Sequence, residues 1–286
     1  MSVVIETAND MKQAMIFAAG LGTRLKPLTD TMPKALVRVG GEPLLKRVIQ
    51  RLGEAGFDRI VVNVHHYSRQ IIDYLAGQHN FGLDVRVSDE TDCLLDTGGG
   101  LRKARLLFDE HAPVLMHNVD ILSNVDLARF YGTDRTMPCP DCGVPHVMAG
   151  ATLLVSWRET RRYLIFNRQM QLVGWTNVGT HEVRTPWPEL RLHFDRLYAE
   201  RPGITATDLR EGTGDYRLYA FSGIHTFSPS LFPLMDSWPD RFSIMDFYLN
   251  NCRTTMIKGV LKPDLRLMDV GKQETLHEAE QFLRQL

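Results

Sequence analysis

Short apolar runs alternate with amphipathic stretches along the first part of the chain, and this alternation is the feature that most restricts the fold. Buried strands are predicted at residues 14–19 and 59–64, and a helix over 43–56 separates them because its apolar side chains recur every three or four positions. Further strands are predicted at 83–87 and 113–117, again with a helix between them. Strands that alternate with helices pair in parallel and are covered on both faces. We therefore predict an α/β fold with a doubly wound, mostly parallel mixed sheet.

The pattern changes after residue 150, where strands are predicted with few helices between them. These strands cover residues 151–157, 163–167, 172–175 and 217–225. The segment 177–215 is rich in Pro, Gly, Thr and charged residues, and we expect it to be an irregular excursion. The second part of the chain is therefore predicted to be an antiparallel extension of the sheet.

Charge and hydropathy argue against several classes of protein. The 286 residues include 33 Lys and Arg against 34 Asp and Glu, a net charge of −1, so no overall field attracts nucleic acid or an anionic membrane. The apolar runs are far shorter than the roughly 20 residues of a membrane span. The first ten residues lack the basic and apolar regions of a signal peptide. We expect a cytoplasmic protein with no nucleic-acid or membrane partner, whose four cysteines are thiols.

A glycine turn with basic residues beside it follows the first predicted strand. Gly20 and Gly22 allow backbone N–H groups to approach phosphate oxygens, and Arg24 and Lys34 supply positive charge. In doubly wound sheets, ligands bind at the carboxyl ends of the strands, where this turn lies. Leu25 occupies the third glycine position of the dinucleotide-binding fingerprint, which disfavours an NAD-dependent oxidoreductase. The turn indicates a site for a polyphosphate.

Two cysteines and a histidine beyond the predicted parallel strands form a possible zinc site. Cys139, Cys142 and His146 provide three potential ligands, whereas a structural zinc ion binds four. A C-x-x-C pair without a second pair is weak evidence. We therefore favour a surface turn at this position.

A longer motif surrounds the glycine turn: residues 20–29 read Gly-Leu-Gly-Thr-Arg-Leu-Lys-Pro-Leu-Thr, and Pro-Lys-Ala-Leu follows at 33–36. This motif resembles the signature of the sugar-1-phosphate nucleotidyltransferases. The stretch Asp-Thr-Gly-Gly-Gly at 96–100 is similar to the Glu-Thr-Gly-Gly-Gly of the N-acetylmuramate-1-phosphate uridylyltransferase branch. Phe-Ser-Gly-Ile at 221–224 and Asp-Val-Gly at 269–271 resemble later elements of the family. The resemblance is dense up to about residue 120 and sparser from about residue 216.

This resemblance implies a Rossmann-like nucleotidyltransferase domain. Residues 1–11 are expected to form a flexible extension, and residues 12–286 a single domain. Within it, residues 12–132 would be the nucleotide-binding half and residues 133–286 the sugar-binding half.

The resemblance also implies a chemistry and the residues that perform it. The protein would transfer a nucleoside monophosphate from a nucleoside triphosphate to a sugar 1-phosphate, with Mg²⁺ as cofactor. Asp120 and Asp269 would be the metal ligands, since carboxylate oxygens suit Mg²⁺. The expected catalytic residues are Arg24, Lys34 and Asp120. The expected nucleotide-binding residues are Ala19, Gly20, Gly22, Thr23, Glu90, Thr97, Gly98 and Asn118, and the expected sugar-binding residues are Asn177 and Gly223.

Two departures from the family pattern keep alternatives open. Val119 stands where the family usually has Gly, and Trp175-Thr176-Asn177 replaces a Glu-Lys-Pro segment whose lysine meets the sugar phosphate. We predict UTP with an amino-sugar or muramic-type 1-phosphate as substrates. GTP with mannose 1-phosphate is the alternative within the family, and a non-catalytic nucleotide-sugar-binding regulator is the alternative of another class. The sequence does not determine the oligomeric state.

Overall fold

The computed structural model describes residues 11–136, 149–201, 203–205, 207–208 and 214–286. The candidate zinc ligands Cys139, Cys142 and His146 lie outside the described residues. So do the first ten residues of the predicted flexible extension.

Ten strands of the described residues form one sheet that joins the two halves of the chain. They are β1 (Gln13–Phe17), β4 (Arg59–Val64), β5 (Asp84–Asp89), β6 (Val114–Asn118), β8 (Ala151–Ser156), β9 (Arg162–Phe166), β10 (Leu172–Asn177), β11 (Glu182–Arg184), β12 (Arg217–Phe227) and β13 (Ile257–Leu261). Two further pairs are β2 (Arg38–Val39) with β3 (Glu42–Pro43), and β7 (Ile121–Ser123) with β14 (Leu267–Asp269).

The parallel part of the sheet creates a crevice after β1 and β6. The strands β5, β4, β1 and β6 lie side by side in that order and run parallel. The chain therefore progresses outward from β1 in one direction to β4 and in the other to β6. Such a switch of direction leaves a crevice at the carboxyl ends of the two central strands. Phe17 and Asn118, which end β1 and β6, mark its position.

Helices cover both faces of this sheet, so the predicted fold class is confirmed. They are α1 (Leu44–Glu54), α2 (Ser68–Gly77), α3 (Asp96–Ala104), α4 (Leu127–Thr136), α5 (Pro188–Glu200), α6 (Phe232–Met235), α7 (Ile244–Asn251) and α8 (Thr275–Leu283). Alternate residues of β1 enter different cores: Ala14 and Ile16 pack in the core that contains α1, whereas Met15 packs in the core that contains α7. This alternation follows from the two-residue period of a strand. No helix in the described part of the chain is long and apolar enough to cross a membrane.

The strand β12 connects the parallel sheet to the extension. It pairs antiparallel with β6 near its end and with β9 near its start, and β9, β10 and β11 continue the antiparallel order. Its register with β8 shifts between Phe221 and His225, and Gly223 in that interval has φ +77°. Glycine adopts this left-handed conformation without steric cost. The predicted antiparallel extension is therefore confirmed.

The prediction that 177–215 is irregular is wrong for much of this segment. It contains β11 and the 13-residue helix α5, on which Leu190, Phe194 and Tyr198 are buried. These three side chains recur every four positions and form one apolar stripe, while Pro188 occupies the first turn. The stripe is visible in the sequence, but the many Pro, Gly and charged residues around it outweighed it. The helix α7 and the strand β13 were also not predicted.

Candidate active site

A cleft of about 410 Å³ opens at the switch point of the sheet, and most of the predicted nucleotide-binding residues line it. We call it the first cleft. Of the predicted site residues, its walls include Ala19, Gly20, Gly22, Thr23, Arg24, Lys34, Glu90, Thr97, Asn118 and Asp120. Val119, the departure from the family pattern, also lines it, and its side chain is buried in the neighbouring core.

The glycine turn forms one wall of the first cleft. Gly22 has φ +64°, and a Cβ atom there would lie 2.9 Å from Cγ2 of Thr29. The Thr29 hydroxyl donates a hydrogen bond to the Gly22 carbonyl oxygen at 2.9 Å, which holds the turn in place. Around Gly20, in contrast, a Cβ atom would meet nothing within 4 Å. The backbone at Gly20 is therefore open to a ligand, whereas Gly22 allows the close packing that shapes the turn.

Two acidic residues that lie 149 positions apart in the sequence meet at the edge of this cleft. Asp120 immediately precedes β7 and Asp269 ends β14, and these two strands pair antiparallel with Asp269 opposite Ile121. The Val270 N–H donates to the Asp120 carbonyl oxygen at 2.9 Å, which extends the pairing. The predicted convergence of Asp120 and Asp269 is thus produced by a short two-stranded sheet outside the main one.

Basic side chains surround this carboxylate pair. Lys34 is buried and forms an ion pair with Asp120. The side chains of Arg24 and Asp269 both approach Gly271, where a Cβ atom would lie 2.9 Å from Nη2 of Arg24 and 2.7 Å from Oδ1 of Asp269. The pKa of Asp269 is raised, first because the crowded crevice reduces the hydration of its carboxylate and second because Asp120 is negatively charged nearby. Lys34, Arg24 and Arg158 oppose that increase. The crevice therefore concentrates charges of both signs.

The two carboxylates fit a divalent cation with hard oxygen ligands. Asp269 is disfavoured as an anion beside Asp120, and a bound cation would relieve this repulsion. No third Asp, Glu, His or Cys joins the pair within the described ranges. The other ligand positions of a Mg²⁺ ion would therefore be open to phosphate oxygens and water.

Glu90 organises the opposite wall of the first cleft. Its buried carboxylate accepts hydrogen bonds from Nδ2 of Asn63 at 2.7 Å and from the Leu95 N–H at 3.2 Å. Oδ1 of Asn63 in turn accepts the Ala18 N–H at 2.7 Å. Burial raises the pKa of Glu90, and these hydrogen bonds oppose the increase. The network ties the loop after β5 to the end of β1, and Gly100 leaves room for it, since a Cβ atom there would lie 2.6 Å from Oε1 of Glu90.

Thr97 lines the first cleft and Gly98 lies beside it, and both residues contact the second half of the chain. The Thr97 hydroxyl accepts the N–H of Ile244 at 3.0 Å, at the start of α7. Gly98 packs against Phe242, where a Cβ atom would lie 2.3 Å from the ring. Gly98 is not part of the cleft wall. The glycine motif thus brings α3 against the segment before α7.

Gly223 lies behind Asn118. A Cβ atom at Gly223 would lie 2.8 Å from Nδ2 of Asn118, so the glycine leaves space for that side chain. The structure therefore places the predicted sugar-binding Gly223 next to a residue of the first cleft and not on the wall of that cleft.

A second cleft of about 1010 Å³ adjoins the first in the antiparallel half. Arg24 lines both clefts, and Asp269 lines the second. Neither of the predicted sugar-binding residues, Asn177 and Gly223, lines the second cleft. Oδ1 of Asn177 accepts the Gly179 N–H at 2.9 Å, so this side chain stabilises the turn between β10 and β11.

Several residues of the two clefts were not predicted from the sequence. Arg241 reaches the first cleft from the second half of the chain, and Arg158, Arg161, Arg162 and Arg184 line the second cleft together with Trp175. Trp175 is partly buried on this wall. No local motif marks these arginines.

Comparison with known proteins agrees with the predicted fold. Residues 13–133 match the family model described as nucleotidyl transferase. The segment contains the glycine turn, Lys34, Glu90 and Asp120. The resemblance found in the sequence is thereby confirmed.

Individual relatives share this segment. The chain is 40% identical over 126 residues to the N-acetylmuramate alpha-1-phosphate uridylyltransferase of Neisseria meningitidis, covering 44% of this chain and 54% of that protein. It is 43% identical over 111 residues to the protein of the same name from Caulobacter vibrioides, covering 38% and 46%. A mannose-1-phosphate guanyltransferase of Schizosaccharomyces pombe is 33% identical over 126 residues, covering 42% and 34%. The chain thus spans about half the length of the first two relatives.

Solved structures resemble the whole fold. HddC from Yersinia pseudotuberculosis, complexed with GMP-PN, has a TM-score of 0.67 and 19% identity, and the match covers 96% of this chain and 100% of that one. A putative glucose-1-phosphate thymidylyltransferase from Bacillus anthracis has a TM-score of 0.70 and 14% identity, with 96% of each chain covered. At these identities the similarity concerns the fold.

Proposed function

We propose that the protein transfers a nucleoside monophosphate from a nucleoside triphosphate to a sugar 1-phosphate. The observation that carries this proposal is the convergence of Asp120 and Asp269 beside the glycine turn, where the two clefts meet. A triphosphate in the first cleft and a sugar phosphate in the second would both reach this carboxylate pair. The similarity of residues 13–133 to nucleotidyl transferases supports the same reaction.

In the proposed reaction, an oxygen of the sugar 1-phosphate forms a bond to the α-phosphorus of the triphosphate. The bond from that phosphorus to the oxygen bridging to the β-phosphate breaks, and the electron pair leaves with pyrophosphate. The attacking oxygen is already anionic, so no general base is required. The protein must bring two polyanions together, align them and balance the charge of the transition state.

The residues at the junction of the clefts suit these tasks. Lys34 lies beside Asp120, where it would compensate charge near the α-phosphate, and Arg24 would bind the departing pyrophosphate. The open backbone at Gly20 would receive phosphate oxygens. Asp120 and Asp269 would hold Mg²⁺, which when bound would draw electron density from the phosphate oxygens.

For the substrates, we propose UTP with an amino-sugar or muramic-type 1-phosphate. The names of the two relatives with 40% and 43% identity support this assignment. GTP with mannose 1-phosphate is the second candidate, supported by the guanyltransferase at 33% identity.

Pyrophosphate release from a matrix of triphosphates and sugar 1-phosphates tests the proposal. We expect release that requires Mg²⁺ and is strongest with UTP. The Asp120→Asn variant should lose activity by at least about 100-fold, because it loses a metal ligand and the charge that pairs with Lys34. Asp73→Asn serves as the matched control, since Asp73 is exposed on α2 and pairs there with Arg69.

Three outcomes separate the alternatives. Release that is strongest with GTP and mannose 1-phosphate would favour the second candidate. Binding of a nucleotide sugar without any pyrophosphate release would favour a regulator over an enzyme. Normal turnover by a folded Asp120→Asn variant would remove Asp120 from the catalytic site.

A further inference from the structure

The second cleft is much more basic than the rest of the molecule. Six basic residues line it, against two carboxylates, whereas the whole chain has a net charge of −1. The basic residues are Arg24, Arg158, Arg161, Arg162, Arg184 and Lys272, and the acids are Asp246 and Asp269. Walls of one sign focus the field in a cleft and attract ligands of the opposite charge.

Some of these charges already have partners. Arg184 forms an ion pair with Asp246, and its guanidinium carbon lies 5.8 Å from the centre of the Trp175 ring. Arg24 and Arg158 face Asp269, together with Lys34 from the first cleft. Arg24, Arg158 and Lys34 therefore lie near the carboxylate pair, where the 1-phosphate would react.

Arg161 and Arg162 have no acidic partner in the part of the chain that the structure describes. Neither forms an ion pair with any described residue, and neither is among the charges that act on Asp269. Both side chains line the second cleft, and a guanidinium group stays protonated in proteins. They therefore add positive charge to the cleft beyond that of the cations near Asp269.

Hydrogen bonds and side-chain packing hold the backbone around this arginine pair in place. The Arg161 carbonyl oxygen accepts the Val178 N–H at 2.8 Å, and the aliphatic part of the Arg161 side chain lies beside Gly179. Asn177 stabilises the same turn through Gly179. Arg162 begins β9, and its N–H donates to the Thr160 hydroxyl at 3.3 Å. The arginines therefore project from an ordered strand and turn.

We propose that Arg161 and Arg162 bind a second anionic group on the acceptor sugar, remote from its 1-phosphate. This inference rests on the proposed function and specifies the acceptor as a sugar 1-phosphate with an additional carboxylate or phosphate. Guanidinium groups suit both, because their planar array of donors matches two oxygens at once. Mannose 1-phosphate and N-acetylglucosamine 1-phosphate carry no such group.

The test compares acceptors that differ only in this charge. N-acetylmuramic acid 1-phosphate is compared with the amide of its carboxyl group, and glucose 1,6-bisphosphate with glucose 1-phosphate. The full chain is used with the triphosphate that is most active, and kcat and KM are measured separately. We expect kcat/KM to be about tenfold or more higher for the charged member of one pair, mainly through KM. The pair that shows the preference identifies the anion as carboxylate or phosphate.

Variants then connect this preference to the two arginines. Arg161→Gln with Arg162→Gln should bring the ratio of kcat/KM within the preferred pair close to one. Arg69→Gln on α2 is the matched control and should leave the ratio unchanged. A loss of the protein's overall fold would lower both values and leave their ratio as it is, so the ratio reports on recognition.

The outcomes distinguish this inference from the proposed function. Pyrophosphate release with equal kcat/KM for both members of each pair would overturn the arginine subsite and leave the proposed function standing. If no acceptor is turned over, the proposed function fails. The arginine subsite is then tested by the rise in melting temperature that each acceptor produces by itself. A larger shift with a charged acceptor that disappears in the double variant would support it, and equal shifts would overturn it.

Discussion

At the scale of single residues, the first cleft depends on polar side chains held at a precise position by their neighbours. Glu90 is the central example, because its carboxylate is buried and accepts hydrogen bonds from Asn63 and Leu95. Burying a polar group costs free energy unless the group is hydrogen-bonded, so losing either hydrogen bond would destabilise the folded protein. Glu90 thus fixes the geometry of the cleft wall without forming an ion pair within the described residues.

Replacing Glu90 with Gln should reveal the cost of burying its charge. Burial raises the pKa of Glu90 in the folded protein, so the folded state holds its proton at a pH where the unfolded state has lost it. The free energy of unfolding therefore decreases as pH rises from the ordinary glutamate pKa through the folded value. Glu90→Gln lacks this decrease, and its stability relative to the native protein should increase over that range. Urea unfolding between about pH 4 and pH 8 measures the difference.

The control for this experiment is Glu274→Gln, because Glu274 is exposed. The same measurement on this variant gives the effect of removing an exposed carboxylate. A pH-independent difference between Glu90→Gln and the native protein would show that burial does not disfavour the Glu90 carboxylate.

At the scale of elements, close contacts between distant segments build the site. The pairing of β7 with β14 brings Asp269 to Asp120, and α3 packs on the segment before α7. In the second contact, the Gly98 and Gly99 N–H groups both donate to the Phe242 carbonyl oxygen, at 2.9 and 3.2 Å. Such an approach of backbone to backbone requires residues without side chains.

Gly98→Ala should therefore destabilise the protein. The new Cβ atom would lie 2.3 Å from the Phe242 ring and 2.9 Å from the Phe242 carbonyl oxygen, so α3 must shift. Overpacking of this kind costs about 1–3 kcal/mol of unfolding free energy. Gly77→Ala is the matched control in α2, since a Cβ atom there meets nothing within 4 Å. Thermal unfolding of both variants measures the effect, and equal melting temperatures would contradict this close packing of α3 on Phe242.

At the scale of the whole molecule, one sheet carries two clefts that meet at the carboxylate pair. The parallel strands position the first cleft, and the antiparallel strands position the second. Residues from both halves reach the first cleft, among them Asp120 and Arg241. A ligand bound there would contact both halves and stabilise the folded state as a unit.

UTP with Mg²⁺ should therefore raise the melting temperature of the native protein. At a ligand concentration 100 times the dissociation constant, mass action adds about 2.7 kcal/mol to the unfolding free energy. This corresponds to a shift of several degrees for a chain of this size. Asp269→Asn should lose the part of the shift that depends on Mg²⁺ and retain the part due to UTP alone. Equal Mg²⁺-dependent shifts in the melting temperatures of the native protein and Asp269→Asn would show that Asp269 is not a metal ligand.

Local sequence patterns predicted a large part of this molecule. The parallel strands, the glycine turn and the end of α1 shortly before Gly56 depend on short-range periodicity and on the backbone conformations that glycine allows. The first cleft was predictable for the same reason, because its residues follow the carboxyl ends of adjacent strands. The apolar stripe of the helix α5 is also a local pattern, although many Pro, Gly and charged residues surround it.

What the sequence determined by itself was therefore the class of fold and the position of the phosphate-facing loop, since both arise from interactions between residues near one another in the chain. It took the folded chain to show that Gly223 makes room for Asn118 and that Arg161 and Arg162 line the second cleft. These placements depend on which distant segments pack together. Long-range packing sets these contacts, and no local pattern encodes them.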